Sequence, residues 1–230
     1  MKADDRYKQN AGEKAASFVQ DGMIVGLGSG STMYWMIKKL GEMVHNGLTI
    51  QGIPTSLQTE KWAKEFGVPL TSFAQNPVID LAIDGADEID PEFRLIKGGG
   101  GSLVREKVVA AAAEKCIIAA DESKVVSVLG TFPLPVEVVP FGFEATALQL
   151  RKLGCYPKVR KKGNERVSTD NGNFILDCSF TRIEDPVSLH HKIKLLTGVV
   201  DTGLFLNMAD AVIIGNQRGA EIMEKRRGEK

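Results

Sequence analysis

The sequence has no excess of either charge: 29 lysines and arginines stand against 29 aspartates and glutamates. That balance argues against a broad polyanion-binding surface and leaves only a local basic pocket for an anionic ligand. No nucleic-acid partner is expected. Cysteine is scarce. Cys116, Cys155 and Cys178 are odd in number and widely spaced, and they fit neither a zinc site nor a disulfide framework. A reduced, cytoplasmic setting is the simplest expectation. Histidine is as scarce. His190 and His191 are adjacent, so on a helix they face different directions, and His45 stands near a helix end. No metal site is expected from them. No run of about 18 apolar residues marks a membrane span, and the opening MKADDRYKQNAGEKAASFV lacks the apolar core of a signal peptide. What is present is a chain of 230 residues, 43% of them hydrophobic. That is enough for one large globular domain or two modest ones.

The most informative stretch runs from Val78 to Lys107. The apolar run Val78–Ile83 leads into Asp84, then Gly85, Ala86 and Asp87. Leu95 and Ile96 lead into Lys97 and four glycines, Gly98 to Gly101. Ser102 opens a helical pattern with Glu106 in its first turn. Short apolar runs bounded by Gly and Asp predict buried strands. The order is therefore strand, acidic loop, strand, Gly-rich loop, helix. In a parallel α/β sheet the loops beyond the carboxyl ends of the strands form the ligand crevice. On that reading two carboxylates, a lysine, a glycine cradle and a third carboxylate converge on one cleft. Taken singly, Asp84 and Asp87 also suit turn caps and Glu106 suits a first-turn charge. Four consecutive glycines weaken any regular element unless the backbone must turn or approach something closely, and that favours a site.

A second motif lies upstream. Met23–Gly28 predicts a strand, Ser29-Gly30-Ser31-Thr32 a tight turn, and Met33–Val44 a helix. Strand, Gly/Ser turn and helix present backbone N–H groups and a helix dipole to an anion. The third glycine of a dinucleotide fingerprint is replaced by Ser31, and the lysine of a P-loop is missing. Both absences favour a small phosphoester over a nucleotide. The remaining pattern gives a helix over 4–20, a strand at 48–56, a helix at 59–66, a short strand or edge at 68–70, and a strand at 116–120 ending in Asp121-Glu122-Ser123-Lys124. Lys124 suits either a surface position or the same crevice. From Phe132 the texture changes to strand 136–139, helix 144–153, strands 158–160 and 173–177, helix 186–196 and strand 199–206. That βαββαβ order matches a split, ferredoxin-like unit. A strand at 211–215 then returns to the first sheet, and a charged closing helix is expected over 218–227.

These motifs together resemble the type A ribose-5-phosphate isomerases. The matching pieces are Gly28-Ser29-Gly30-Ser31-Thr32, Asp84-Gly85-Ala86-Asp87-Glu88, Lys97-Gly98-Gly99-Gly100, Arg105-Glu106-Lys107, Ala120-Asp121-Glu122-Ser123-Lys124 and Phe132-Pro133-Leu134-Pro135-Val136-Glu137-Val138. The likeness runs along essentially the whole chain. It implies an α/β fold: a Rossmann-like parallel-sheet domain (1–131 and 208–230) with a smaller ferredoxin-like α+β domain (132–207) inserted near the C-terminus. It implies interconversion of D-ribose 5-phosphate and D-ribulose 5-phosphate in the pentose phosphate pathway, with no metal and no organic cofactor. It implies a cytoplasmic homo-oligomer, a dimer or a tetramer. Carried over residue by residue, Glu106 is the acid/base, and Asp84, Asp87 and Lys97 are the other catalytic candidates. Ser29, Gly30, Ser31, Thr32, Asp84, Gly85, Ala86, Asp87, Lys97, Gly98, Gly99, Gly100 and Lys124 are the substrate-binding candidates. Two other classes compete with this one. A sugar-phosphate-sensing module needs no base at Glu106. A nicotinamide-dependent oxidoreductase needs an acidic residue at the end of the second strand, where Pro54-Thr55-Ser56 stands instead.

Overall fold

A computed structural model describes residues 3–224. In chain order its elements begin with helix α1 (Ala3–Ala16), strand β1 (Ile24–Leu27), α2 (Ser31–His45), β2 (Gln51–Pro54), α3 (Leu57–Phe66) and β3 (Ile79–Asp84). Next come β4 (Glu88–Ile89), β5 (Leu95–Ile96), α4 (Leu103–Ala111), β6 (Ala113–Asp121), a 3-10 turn (Glu122–Lys124) and β7 (Leu134–Val138). After these lie α5 (Phe143–Arg151), β8 (Tyr156–Val159), β9 (Lys161–Lys162), β10 (Glu165–Arg166), β11 (Phe174–Ser179) and α6 (Pro186–Lys194). The described chain closes with β12 (Val199–Thr202), β13 (Leu204–Phe205), β14 (Ala211–Asn216) and β15 (Gly219–Glu224). Two compact units result, one from residues up to 86, 105–125 and 207 onward, the other from 87–104 and 126–206. The segment 87–104, which the sequence reading grouped with the first domain, clusters with the second unit.

The first unit is a six-stranded sheet in the order β15-β14-β6-β3-β1-β2. Every pairing is parallel except that of β15 with β14. Its inner strands are apolar on both faces, as strands covered by helices must be. Val25, Leu27, Leu81, Ile83, Ile117 and Ile213 are all buried. On α2 the buried Met33, Met36, Ile37 and Leu40 repeat at helical spacing and turn one stripe to this core. Because β1, β2, β3 and β6 are parallel, the segments after Leu27, Pro54, Asp84 and Asp121 all leave the same edge of the sheet.

The second unit is built on antiparallel pairing. Four strands lie in the order β12-β7-β11-β8, with α5 and α6 interleaved in sequence, and β13-β5-β4 form a separate three-stranded sheet. Leu134, Val136 and Val138 of β7 point with Leu176, Cys178 and Ile193 into this unit's own core. The Glu88 carboxylate accepts the N–H groups of Gly130 (2.7 Å) and Phe132 (2.6 Å), which fixes the entry to β7.

Four sequence expectations are corrected. The closing helix is strand β15 as far as it is described; residues 225–227 lie outside the described residues. Asn216 accepts the Arg218 N–H through its side chain at 2.8 Å, Gly219 has φ 132°, and β15 pairs along β14. An open sheet edge supplies backbone partners that outweigh the helix propensity of Glu-Ile-Met-Glu. The strand ending at Lys97 belongs to the small antiparallel sheet, not the parallel one, because Leu95 and Ile96 pair with β4 and β13. The strand over 199–206 breaks at Gly203 into β12 and β13, which join different sheets. The 68–70 edge reduces to one bridge between Gly52 and Leu70.

Candidate active site

In the first unit, β1 ends beside the end of β3. Gly28 donates its N–H to Ile83 O at 2.9 Å. A Cβ on Gly28 would fall 2.3 Å from Asp84 Oδ1 and 2.5 Å from Asp84 Cα, so only glycine fits this crossing. The chain then turns through Gly30 into α2. Gly30 is the residue before the first helical turn, and no side chain caps that end. Uncapped N–H groups and the positive end of a fifteen-residue helix therefore meet at the carboxyl edge of the sheet, a setting suited to an anion. The exposed Ser31 and buried Thr32 stand in the first turn.

Ser29 has a setting the motif alone does not suggest. Its hydroxyl lies 2.8 Å from Thr55 Oγ1, 2.9 Å from Ser56 Oγ and 3.1 Å from Thr59 Oγ1. Thr55 also reaches Leu27 O and Thr59 reaches Gly28 O, both at 2.9 Å. Thr55, Ser56 and Thr59 are buried. This hydroxyl cluster bolts the Ser29 loop to the β2–α3 junction, where Ser56 also accepts the Thr59 N–H as the helix cap. In the sequence Pro54-Thr55-Ser56 stands out only for lacking an acidic residue. The cluster forms because β2 pairs alongside β1.

Asp84, buried at the end of β3, accepts the N–H groups of Ser29 (3.0 Å) and Gly85 (2.7 Å) through one oxygen. On the same edge Asp121 caps the 3-10 turn, and the half-buried Lys124 ends it. Glu106 sits in the first turn of α4 and is 4% exposed. One turn further on, that helix approaches β1, where a Cβ on Gly26 would strike Val109. So Ser29 to Thr32, Asp84 to Ala86, Glu106 and Lys124 all belong to the first unit, and Ser29 and Asp84 are in direct contact.

Asp87, Lys97 and Gly98 to Gly100 belong to the second unit. Lys97 is 3% exposed, with its ammonium 5.2 Å from the centre of the Phe205 ring and its N–H on Gly203 O at 2.8 Å. Gly98 to Gly101 form a turn closed by the Gly101 N–H on Gly98 O (3.0 Å). Inside it, the Gly99 N–H donates to Asp87 Oδ2 at 2.7 Å, and a Cβ on Gly99 would strike that carboxylate. The glycine run therefore lets backbone and carboxylate touch. Among the described residues no three His, Cys, Asp or Glu side chains group as metal ligands, and no helix is long and apolar enough to cross a membrane.

Residues 51–219 match the family model described as ribose 5-phosphate isomerase A, also called phosphoriboisomerase A. The chain belongs to the ribose-5-phosphate isomerase A family. A relative of that name from Oceanobacillus iheyensis is 54% identical over 218 residues, covering 94% of this chain and 97% of the relative. Among solved structures, ribose 5-phosphate isomerase from Plasmodium falciparum shares 40% identity at a TM-score of 0.93, over 96% of this chain and 99% of that one. A D-ribose-5-phosphate isomerase solved in complex with phospho-erythronic acid shares 38% identity at a TM-score of 0.93, over 97% of this chain and 100% of that one. Membership of the ribose-5-phosphate isomerase A family makes the chain an isomerase, as the motifs implied.

Proposed function

We propose that the chain interconverts D-ribose 5-phosphate and D-ribulose 5-phosphate through a cis-enediolate, with Glu106 as the single acid and base. The observation that carries the substrate class is the uncapped start of α2 at the carboxyl edge of the sheet, with Lys124 on the same edge. A phosphate dianion is the ligand such an end favours. The relative solved with phospho-erythronic acid, itself a phosphorylated sugar acid, supports the same class.

In this reading Ser29 to Thr32 and Lys124 hold the phosphate. Binding energy gathered there, away from the reacting carbons, positions the open-chain sugar for proton transfer. The Glu106 carboxylate removes the C2 proton of the aldose, and the electron pair moves into C1=C2 while charge develops on O1. The positive charge of Lys97 and the donors of the Gly98–Gly100 turn offset that charge. Glu106 then returns its proton to C1, and the O2 proton passes to O1, which leaves the carbonyl at C2. Asp84 assists ring opening or holds a sugar hydroxyl, together with Gly85 and Ala86. Asp87 orients hydroxyls or Lys97.

The finer architecture belongs to the same proposal. The βαββαβ order of residues 134–202 and its sheet order (fourth, first, third, second) support a ferredoxin-like domain inserted into a Rossmann-like one, with the bounds 132–207 against 1–131 and 208–230 adjusted so that 87–104 and 126–131 cluster with the smaller unit. A homodimer or homotetramer in the cytoplasm, serving the non-oxidative branch of the pentose phosphate pathway, completes the reading. Light scattering on the purified protein tests the assembly.

The deciding experiment is isomerisation of ribose 5-phosphate by EDTA-treated protein beside folded Glu106→Gln. Turnover that survives chelation and falls about 10²–10⁴-fold in the variant supports the single-carboxylate mechanism. Saturable sugar-phosphate binding without turnover turns the reading to a sensing module. Unchanged activity in the variant removes Glu106 from the role.

A further inference from the structure

The Gly98–Gly101 turn is gripped by a side chain that lies outside all the motifs. Arg160 follows β8, and its own N–H donates to Ile175 O at 2.8 Å, so its backbone is anchored to the sheet. Its Nη1 donates to Gly98 O at 2.7 Å and to Gly99 O at 3.0 Å. The rest of the guanidinium forks onto Asp177 of β11, Nε to Oδ2 at 3.0 Å and Nη2 to Oδ1 at 2.5 Å. The Arg160 side chain is 15% exposed, so the fork is largely shielded from competing water.

Peptide geometry gives this grip a consequence. A trans peptide is planar, with its C=O and N–H pointing in opposite directions. When Gly98 C=O faces Arg160, the Gly99 N–H must face away, and there it meets Asp87 Oδ2 at 2.7 Å. When Gly99 C=O faces Arg160, the Gly100 N–H also points away from the guanidinium. One side chain thereby orients two consecutive peptide planes. The rigid fork of arginine suits this task; lysine, a point charge on a flexible stem, cannot hold a carboxylate and two carbonyls in one plane. Asp177 balances the charge, so the pair acts through geometry.

We infer that Arg160 is a positioning residue for the isomerisation. It sets the Gly98–Gly99 and Gly99–Gly100 peptide planes, so that Gly99 N–H holds the Asp87 carboxylate and Gly100 N–H is presented away from the guanidinium as a donor. The inference rests on the proposed isomerase reading, in which Asp87 and this turn serve the substrate.

The test combines steady-state kinetics on ribose 5-phosphate with amide hydrogen exchange at Gly99 and Gly100, for wild type, Arg160→Met, Arg160→Lys and Asp177→Asn. Arg160→Met is expected to lower kcat about tenfold or more, because loss of sub-ångström placement costs rate. KM should stay within about threefold, since the phosphate contacts are elsewhere. The Gly99 amide should exchange about tenfold faster or more, and Arg160→Lys should restore neither quantity. A kcat within about twofold of wild type, or slow exchange at Gly99 in the variant, overturns the inference. Should Arg160→Met fail to fold, Asp177→Asn keeps the cation and loosens its fork. It should lower kcat roughly three- to tenfold with faster Gly99 exchange, and an unchanged kcat there overturns the inference equally. If wild type itself leaves ribose 5-phosphate unchanged, the isomerase reading fails, while Gly99 exchange still reports whether Arg160 sets the turn.

Discussion

Asp84 Oδ1 accepts the backbone N–H of Ser29 at 3.0 Å, so a single carboxylate oxygen ties the end of β3 to the loop that follows β1. The contact exists because Gly28 lets the two strands meet without a side chain between them. Gly28→Ala places a Cβ against Asp84 and must part them. Overpacking of this kind costs about 1–3 kcal/mol. The displaced loop should also lower kcat/KM about tenfold or more. Thermal unfolding and kinetics together check this, and a variant of normal stability and activity would refute the crossing as described.

The hydroxyl cluster around Ser29 makes a different prediction. Thr59→Val keeps the volume and removes one hydroxyl from a fully buried site, leaving Gly28 O and Ser56 without that partner. Stability should fall by about 1–3 kcal/mol. KM for ribose 5-phosphate should rise roughly three- to tenfold while kcat stays within about threefold, since in the proposed reading the Ser29 loop holds the phosphate and takes no part in proton transfer. Thr59→Ser should recover most of both. A fall in kcat at constant KM would place the cluster in another role.

Lys97 carries its charge inside the second unit, against the ring of Phe205. Lys97→Met retains most of the apolar stem and deletes the charge. In the proposed mechanism Lys97 faces the developing oxyanion, and on that proposal its loss should lower kcat/KM about 10²–10³-fold. Activity within about threefold of wild type would remove Lys97 from the mechanism.

Alkaline pH gives a test in the second core. Pairing with Cys155, and then burial, push the Cys178 thiol up from its ordinary value of 9.0, while the same pairing lowers the Cys155 thiol. The sign follows from proton counting. Above pH 9.0 the unfolded chain releases this proton while the folded chain keeps it, so stability falls as pH rises; below that value the contribution is fully present. The slope is at most about 1.4 kcal/mol per pH unit for one group. Urea unfolding at pH 8 and pH 10 in a Cys155→Ala background, where burial alone still raises the Cys178 thiol, should show a smaller alkaline loss once Cys178→Ala is added, and equal losses would refute the shift.

The parallel sheet was legible because its strands are short apolar runs ending in Gly or Asp, as at Gly28, Asp84 and Asp121. The Gly/Ser turn between β1 and α2 and the loop after β3 were legible for the same reason. What escaped was pairing between distant segments. Leu95-Ile96 reads as a strand in either sheet, and only its partners Ile89 and Phe205 decide which. Glu221 to Glu224 has helical composition, and an open sheet edge overrode it. Thr59 and Arg160 lie in segments that look like an ordinary helix and an ordinary strand end. Each gains a role through a contact with a segment far away in sequence, Thr59 at Gly28 and Arg160 at Gly98.

The strand order of the first unit also bears on how the chain is made. β14 lies directly between β6 and β15, yet most of the second unit is encoded between β6 and β14. α1, too, closes onto β14: Asn10 donates to Asn216 O at 3.0 Å, and Gly215 has no room for a side chain against Tyr7. During synthesis β6 therefore emerges with a bare edge, and the first helix waits for a strand encoded after the second unit. The second unit, whose sheets need only residues 87–104 and 126–206, can finish while the first remains an open sheet. The nascent chain therefore carries an exposed β edge until β14 has been translated, and this is the interval in which chaperone capture or misassembly of the first unit would occur.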